Sequence, residues 1–308
     1  MSSAIPSGPV AELPVWQSVK ASVRTVFLEN LRHFPRAAAI PLLITLLVWL
    51  LQHSFGVGSP QGESLATPGF SLGELPFFIA GTVPTVIFAV AWHRLMLLGP
   101  ERGYPDGRPS WQHRHWAFLG YSLVFSAFYF VAGLIIGRAL GSVASSVLPV
   151  GTGSDGGGAI LAIMMWALPM LLVAWLVARL CFVLPATAVG ERYGLGDSWR
   201  QTQGLGLRLM AAFVLLFICV VLPLMLMMNI MAVLATSLLG IVFGLASGAQ
   251  QVTGEDSFLL VFLPVVVFYI GTYLAAAVYV SLLSIAFRTC SGWVRDEPAG
   301  DQQPNSSS

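Results

Sequence analysis

The sequence has little charge. Only 9% of its 308 residues are charged, whereas 56% are hydrophobic; an ordinary soluble domain has about a quarter of its residues charged. The formal net charge of +1 also lacks the basic excess that a nucleic-acid-binding surface needs. The composition therefore predicts a membrane protein and argues against nucleic acid as a partner.

Cysteines and intramembrane carboxylates are scarce as well. The three cysteines, Cys181, Cys219 and Cys290, are far apart and lie in or beside apolar runs, which excludes a disulfide framework or a zinc cluster. The apolar stretches contain no Asp or Glu, although proton-coupled transporters and intramembrane proteases usually carry carboxylates there. Because no nucleophile–base pair or metal-ligand set can be assembled, we expect no enzymatic activity, no cofactor and no metal site.

What the sequence does have is six long apolar stretches, each long enough to span a bilayer as a helix. They predict an all-α, polytopic bundle of six spans within residues 16–295, between disordered ends at 1–15 and 296–308. The predicted spans are 34–55, 75–98, 116–140, 159–179, 209–246 and 258–287. As a straight helix the fifth would measure about 57 Å, nearly twice the hydrocarbon thickness, so we expect a bend or break near Pro223 or Asn229.

Basic residues are sorted between the loops. Of the 15 Lys and Arg residues, all but Arg138 fall on one side if the six stretches alternate in direction. Cytoplasmic loops carry such an excess in bacterial inner-membrane proteins. The distribution therefore predicts a multi-pass protein of the bacterial inner membrane with cytoplasmic N- and C-termini.

Trp16, Trp111 and Trp199 each precede an odd-numbered span and are predicted to be interfacial anchors. Two of the inner loops also look alike: Gly-Pro-Glu-Arg-Gly-Tyr and Ser-Trp-Gln at 99–112, and Gly-Glu-Arg-Tyr-Gly and Ser-Trp-Arg-Gln at 190–201. One interpretation is a bundle of three repeated helical hairpins. The other is convergence, because any inner loop needs turn formers, charge and an interfacial aromatic residue.

One set of residues resembles a known pattern. Arg179, Leu184-Pro185-Ala186 and Ser198-Trp199-Arg200-Gln201-Thr202-Gln203-Gly204 are similar to the Arg…Leu-Pro-Ala…Ser-Trp-x-x-Thr-x-Gly pattern of bacterial six-helix membrane proteins. That group includes the membrane domain fused to some glycerophosphodiester phosphodiesterases and uncharacterised alphaproteobacterial relatives. The resemblance implies a helical membrane module. It brings no established activity, and Leu205 stands where the family pattern often has Asn.

Two kinds of candidate site follow from the pattern. Arg94, Arg179 and Arg288 lie near the inner ends of even-numbered spans, where they could bind anionic lipid headgroups or simply extend to the interface and end the span. Glycines at four-residue spacing lie on one helix face and predict close helix packing. They are Gly133, Gly137 and Gly141 in the third stretch, and Gly240, Gly244 and Gly248 in the fifth.

These observations favour a non-enzymatic scaffold or accessory module that binds membrane lipids or a protein partner. The alternative function is a transporter or permease for a small or lipid-like solute. The expected partners are membrane lipids, with a protein partner or a second copy of the chain as further alternatives. A lipid-binding crevice in the structure would favour the first function, and a continuous polar pathway would favour the second.

Overall fold

The computed structural model describes residues 13–55, 75–100, 111–147, 171–246 and 254–293. These residues form helices and turns, with no β-strand among them. Six helical segments of this part of the chain are long and apolar enough to cross a membrane. The prediction of an all-α membrane bundle with six spans is confirmed.

The described part of the chain contains ten α-helices. The second, third and sixth candidate spans each lie within a single helix. The bounds are α1 Val15–Arg24, α2 Phe34–Ser54, α3 Leu75–Leu98, α4 His113–Val147, α5 171–180, α6 Val183–Val189, α7 Leu195–Gln201, α8 Gly206–Leu216, α9 Leu222–Ala246 and α10 Gly254–Ser291. Candidate spans one to three are contained in α2 with its preceding turn, α3 and α4, and the sixth in α10. The fourth combines α5 with α6, and the fifth combines α8 with α9.

The predicted span boundaries agree with these helices to different degrees. The predicted first and second spans nearly coincide with α2 and α3. Helix α4 extends beyond the predicted 116–140 at both ends, and α10 extends beyond 258–287 in the same way. The start of the predicted fourth span, from residue 159, lies outside the described residues.

The long fifth stretch contains a π-helical turn. Residues Phe217–Val221 form this turn between α8 and α9, directly before Pro223. Proline has no N–H to donate to the preceding turn, so an irregular turn beside it is expected. The Asn229 side chain instead donates to the Met225 carbonyl of its own helix at 2.7 Å. The predicted irregularity therefore lies next to Pro223 and not at Asn229.

Helix α10 is at the centre of the bundle. It packs against α1, α2, α3, α6, α8 and α9. Its buried positions are occupied mainly by small or apolar side chains: Ala277, Val278, Leu282, Ala286 and Phe287 are each at most 1% exposed. Small residues let neighbouring backbones approach closely. This helix, the last span, thereby packs against the first span.

Both described ends of the chain lie at one end of the bundle, which we call the terminal end. Leu13 and Cys290 belong to one buried cluster, and Trp293 packs against it. Leu13 is only 3% exposed, so the prediction that residues up to 15 are disordered is wrong for residues 13–15. The remaining residues of the two predicted disordered ends, 1–12 and 296–308, lie outside the described part of the chain.

The short helix α1 has one buried face and one exposed face. Ser18, Val19 and Ser22 are buried against the bundle, where α1 packs on α8 and α10. Trp16 and Lys20 are exposed on the other face. Trp16, a predicted interfacial anchor, is 62% exposed, and this exposure leaves its ring accessible to a membrane interface.

Candidate functional site

Arg179, near the end of α5, lies between two tryptophan rings. The guanidinium carbon is 3.5 Å from the ring centroid of Trp199 and 5.5 Å from that of Trp175. The Nη2 group also donates a hydrogen bond to the Trp199 carbonyl at 2.9 Å. A cation over an aromatic face is attracted by the ring quadrupole, and more strongly when water is excluded. We call these three residues the Trp–Arg–Trp clamp.

The backbone of Arg179 is held by the same segment. Its carbonyl accepts hydrogen bonds from the Ser198 hydroxyl at 2.9 Å and from the Thr202 hydroxyl at 3.0 Å. The helix is interrupted at Cys181 and Phe182, and carbonyls at a helix end lack intrahelical partners. The Ser-Trp-x-x-Thr pattern therefore supplies the donors that the end of α5 needs.

Two glycines allow this arrangement. A Cβ at Gly206 would lie 2.9 Å from Nε1 of Trp175, closer than real Cβ contacts, and 3.0 Å from Cγ of Arg179, closer than most of them. Gly204 has a φ of +79°, which side-chain-bearing residues rarely adopt. The Arg, Ser-Trp, Thr and Gly elements of the sequence pattern therefore meet in one structural unit at the terminal end.

The charge of Arg179 has no acidic partner among the described residues, and the ion pairs Arg24–Glu29 and Arg200–Asp197 do not involve it. Its Nε is buried and has no hydrogen-bond partner there. Within the described residues, the Arg179 guanidinium thus contacts two tryptophan rings and one backbone carbonyl. The clamp makes Arg179 a connection between α5 and α7.

Asp197 is the third residue of α7 and lies in its first turn, beside this clamp. Its carboxylate accepts a hydrogen bond from the Gly194 N–H at 3.0 Å and one from Arg200 at 2.6 Å. These contacts, the Gly194 hydrogen bond first, lower the pKa of the Asp197 carboxyl below its usual value. Burial raises the pKa of the neighbouring Tyr193 phenol, so it stays neutral.

The predicted arginine trio is not uniform. Arg179 is nine-tenths buried in its clamp, whereas Arg288 on α10 is exposed and Arg94 on α3 is half-buried. Arg94 follows His93, whose Nδ1 is 2.8 Å from the Ser284 hydroxyl one turn before Arg288. The two helices pack together, so Arg94 and Arg288 lie at neighbouring levels of the terminal end.

The predicted glycine faces show little packing where their surroundings are described. A Cβ at Gly240 would meet no heavy atom within 4 Å, and Gly133 is half-exposed. The surroundings of Gly137, Gly141 and Gly244 lie outside the description, as does Gly248 itself. Helix α4, which carries the first glycine trio, packs against α3 and α6. Helix α9, which carries the second trio, packs against α10.

The close approach between α9 and α10 instead uses Gly271. A Cβ there would lie 2.7 Å from Cγ of Met228 and 3.3 Å from Cε of Met225. Gly271 and Ala275 are four residues apart and lie on one face of α10, the small-residue spacing typical of membrane helix contacts. This spacing is visible in the sequence, but the predicted packing sites were the more regularly spaced glycine trios, and Gly271 was not among them.

The other two predicted tryptophan anchors are engaged by protein. Trp199 covers Arg179, and Trp111 stacks on His115 with 5.1 Å between ring centroids and meets Trp116 edge-on. The Trp111 Nε1 is buried without a hydrogen-bond partner among the described residues. The location of Trp111 and Trp199 near the membrane interface remains a prediction.

A crevice of about 490 Å³ lies between α2, α3, α4 and α10 and extends from near the middle of the bundle towards the end opposite the termini. We call it the outer crevice. Its lining mixes aromatic and hydroxyl-bearing side chains. From Phe77 to Val86 along α3 it extends over nine helical steps, or about 14 Å. Thr85 is exposed within it although Pro84 and Val86 beside it are buried.

A packed aromatic layer closes the crevice on the side of the terminal end. Phe88 and Trp92 are fully buried and stacked, with centroids 5.6 Å apart, and Phe88 meets the Tyr273 ring at 5.0 Å. Trp92 donates from its indole to the Ser281 hydroxyl at 2.9 Å. Within the described residues, the outer crevice therefore ends at this layer.

The outer crevice was not among the sites predicted from the sequence. Its signal was a set of hydroxyl side chains spaced three or four residues apart, such as Thr82 with Thr85 and Ser122 with Ser126. Such pairs lie on one face of a helix. Each pair alone is common in membrane helices, and only the packing of four helices brings them together.

No match was found when the chain was compared with protein-family models, curated proteins and solved structures. The resemblance to bacterial six-helix membrane proteins therefore stays a prediction. The described residues hold no group of three or more His, Cys, Asp or Glu side chains placed to bind a metal ion.

Proposed function

We propose that this protein is a non-enzymatic lipid-binding module of a bacterial inner membrane, and that the outer crevice is its binding site. The observation that carries the proposal is a hydroxyl-lined crevice within a six-span bundle. Its volume of about 490 Å³ is within the range of about 300–1,000 Å³ typical of small-molecule sites. It is large enough to take a lipid headgroup region.

The chemistry of the lining supports an amphiphilic ligand. Trp49, Phe77 and Phe118 offer apolar surface, and threonine, serine and tyrosine hydroxyls offer hydrogen bonds. Polar groups within a bilayer need partners, because hydrocarbon offers none. A lipid that places its polar region against the hydroxyls and its tail against the rings satisfies both.

The distribution of basic residues supports an orientation with both termini in the cytoplasm. In that orientation the outer crevice faces the periplasmic side, and its natural source of ligand is the outer leaflet of the inner membrane. Arg94 and Arg288 then lie at the cytoplasmic interface, where an arginine gains about 1 kcal/mol from an anionic surface.

A transporter or permease is the second candidate. The outer crevice is separated from the terminal end by the aromatic layer, as a site in one state of an alternating-access protein would be. Phe88, Trp92 and Tyr273 would have to move apart to connect it with the terminal end. This closed aromatic layer favours binding over transport.

The proposal is tested by filling the crevice. Ser126 is a lining residue on α4, and Val124 on the same helix is 54% exposed and does not line the crevice. Wild type, Ser126→Leu and Val124→Leu are purified in mild detergent, and bound lipids are identified by native mass spectrometry. We expect lipid adducts on wild type and Val124→Leu and their loss from Ser126→Leu.

Equal lipid retention by all three proteins would contradict the proposal. Retention of a protein in place of a lipid would support the alternative of a protein-binding scaffold. Release of a water-soluble solute that Ser126→Leu fails to bind would support the transporter.

A further inference from the structure

The outer crevice carries no charge in its described lining. Its seventeen lining residues include no Asp, Glu, Lys, Arg or His. A phosphate or carboxylate drawn into such a site would lose its hydration without gaining a cationic partner, which is strongly unfavourable. His53 stacks on the lining residue Trp49, with 5.5 Å between ring centroids, but does not itself line the crevice. Arg94 and Arg288 lie beyond the aromatic layer at the terminal end.

The crevice offers free hydrogen-bond donors. Ser122, Ser126 and Tyr269 line it, and their hydroxyls form no hydrogen bond with another described residue. The Gln52 amide, at its outer rim on α2, adds a donor and an acceptor. These groups are suited to carbonyl or hydroxyl oxygens of a ligand.

The crevice also offers acceptors. Thr82 and Thr272 donate their hydroxyl hydrogens to carbonyls of their own helices, at 2.8 and 3.0 Å. Thr45 does the same towards Pro41 at 2.9 Å, so the Tyr273 hydroxyl is the donor in its 2.7 Å contact with Thr45. A hydroxyl whose hydrogen is committed still accepts through its oxygen, so these threonines can receive a ligand's O–H.

We propose that the outer crevice binds the head of an uncharged amphiphile that carries both hydroxyl and carbonyl oxygens on an apolar tail. A diacylglycerol has this chemistry: one free hydroxyl for the threonine acceptors and ester carbonyls for the serine and tyrosine donors. The aromatic side chains of Trp49, Phe77 and Phe118 receive the start of the tail. This inference rests on the proposed function and specifies the ligand class.

The experiment compares two lipids that differ in charge and share their acyl chains. Delipidated protein in detergent is titrated with dioleoylglycerol or with dioleoylphosphatidylglycerol, and binding is followed by native mass spectrometry. A third titration uses an isoprenoid quinone, which has carbonyls but no hydroxyl. We expect dioleoylglycerol to bind about tenfold more tightly than either of the others.

Two variants connect the binding to the crevice. Ser126→Leu fills it, and Val124→Leu on the lipid-facing side of the same helix is its matched control. The Thr85 hydroxyl donates to the Gly81 carbonyl at 3.5 Å, so its oxygen can accept from the ligand as those of Thr82 and Thr272 can. Thr85→Val replaces this exposed crevice hydroxyl by a methyl group of similar size, so it keeps the fold if Ser126→Leu does not. Loss of one hydrogen bond should weaken dioleoylglycerol binding about fivefold, and Val124→Leu should leave it unchanged.

The outcomes separate the two proposals. If phosphatidylglycerol binds as tightly as dioleoylglycerol, and both Ser126→Leu and Thr85→Val weaken it, the uncharged ligand class is wrong and the lipid-binding function stands. Tighter binding of the quinone would likewise overturn the requirement for a hydroxyl. If no lipid responds to either crevice variant, both proposals are wrong.

Discussion

Arg179 illustrates how a single cation can be buried with no carboxylate beside it among the described residues. Its guanidinium is planar and weakly hydrated, so it can stack on Trp199 while its Nη2 group donates to the carbonyl of the same residue. The residue is 9% exposed. This geometry gives Arg179 a structural role and leaves Arg94 and Arg288 as the members of the predicted trio for lipid headgroups.

The clamp predicts that Arg179→Lys will destabilise the protein. A lysine ammonium has no planar face to stack on Trp199 and is more strongly hydrated. We expect a loss of about 2–3 kcal/mol from the cation–π contact and the hydrogen bond together. Thermal unfolding in detergent measures the change, and Arg192→Lys, at an exposed site, is the control. An unchanged melting temperature for Arg179→Lys would contradict the role of the clamp.

A second prediction at this scale concerns acid pH. Because the pKa of the Asp197 carboxyl is lowered in the folded protein, its contribution is present above its ordinary pKa, near 3.8. That contribution is lost as the pH falls through the lower folded value. Asp197→Ala should cost about 0.5 kcal/mol at pH 7, at the low end for an exposed helix cap. The difference in melting temperature from wild type should shrink below pH 4; a difference that persists at pH 2 would contradict it.

The arginines at the terminal end give a third prediction at this scale. If Arg94 and Arg288 bind anionic lipid, Arg94→Gln with Arg288→Gln should remove bound cardiolipin or phosphatidylglycerol, with about 1 kcal/mol lost for each contact. Native mass spectrometry of lipid adducts measures it. The control is Arg192→Gln, an exposed arginine in the loop before α7. Unaltered retention of anionic lipid in the double variant would leave these arginines as simple helix ends.

At the scale of elements, the contact between α9 and α10 depends on one small residue facing two methionines. Gly271 lets Met225 and Met228 approach the α10 backbone. Methionine fills irregular gaps well, so a stretch rich in methionine opposite a glycine packs densely. Gly240, from one of the regularly spaced glycine trios, lies on the same helix as these methionines, but a Cβ there would face open space.

Gly271→Leu should therefore destabilise the bundle, whereas Gly240→Leu should not. The new side chain at 271 would overlap Met228, and overpacking of this kind costs about 1–3 kcal/mol. Melting temperatures in detergent compare the two variants, which introduce the same residue into helices that pack together. Equal effects of both substitutions would contradict the assignment of this contact to Gly271.

The helices themselves could be predicted because the bilayer constrains each span separately. Every backbone group within the hydrocarbon must be satisfied inside its own helix, so hydropathy alone located α2 and α3. The π-turn at 217–221 was harder, because Pro223 indicates an irregular turn without specifying its form. The packing of α9 on α10 could not be derived from glycine spacing, since spacing does not say which helices meet.

The same limit applied to the sites. Arg179, Ser198 and Thr202 stood out as a pattern, yet their contacts cross the turn at 190–194, where Gly190 has a φ of +88°. The outer crevice draws its lining from four helices that are distant in sequence. In both cases the residue types could be recognised in the sequence, while their arrangement depends on tertiary packing.

For the whole molecule, the orientation in the membrane decides which leaflet can supply the outer crevice. Leu13 and Trp293 lie at the same end of the bundle, as an even number of spans requires. The sorting of 14 of 15 basic residues then indicates which side that is, because positive loops are retained in the cytoplasm. The orientation can be tested without knowledge of the ligand.

Cysteine labelling in intact cells provides this test. Ser64 lies in a loop predicted to be periplasmic, Ser257 lies in the first turn of α10 on the same predicted side, and Ser110 lies in a loop predicted to be cytoplasmic. Cys181 and Cys290 are buried, but Cys219 is exposed, so each variant is made in a Cys219→Ala background. A membrane-impermeant maleimide should label Ser64→Cys and Ser257→Cys, and it should label Ser110→Cys only after the cells are opened. Labelling of Ser110→Cys in intact cells would reverse the orientation, because its loop would then be periplasmic, and the outer crevice would draw its ligand from the cytoplasmic leaflet.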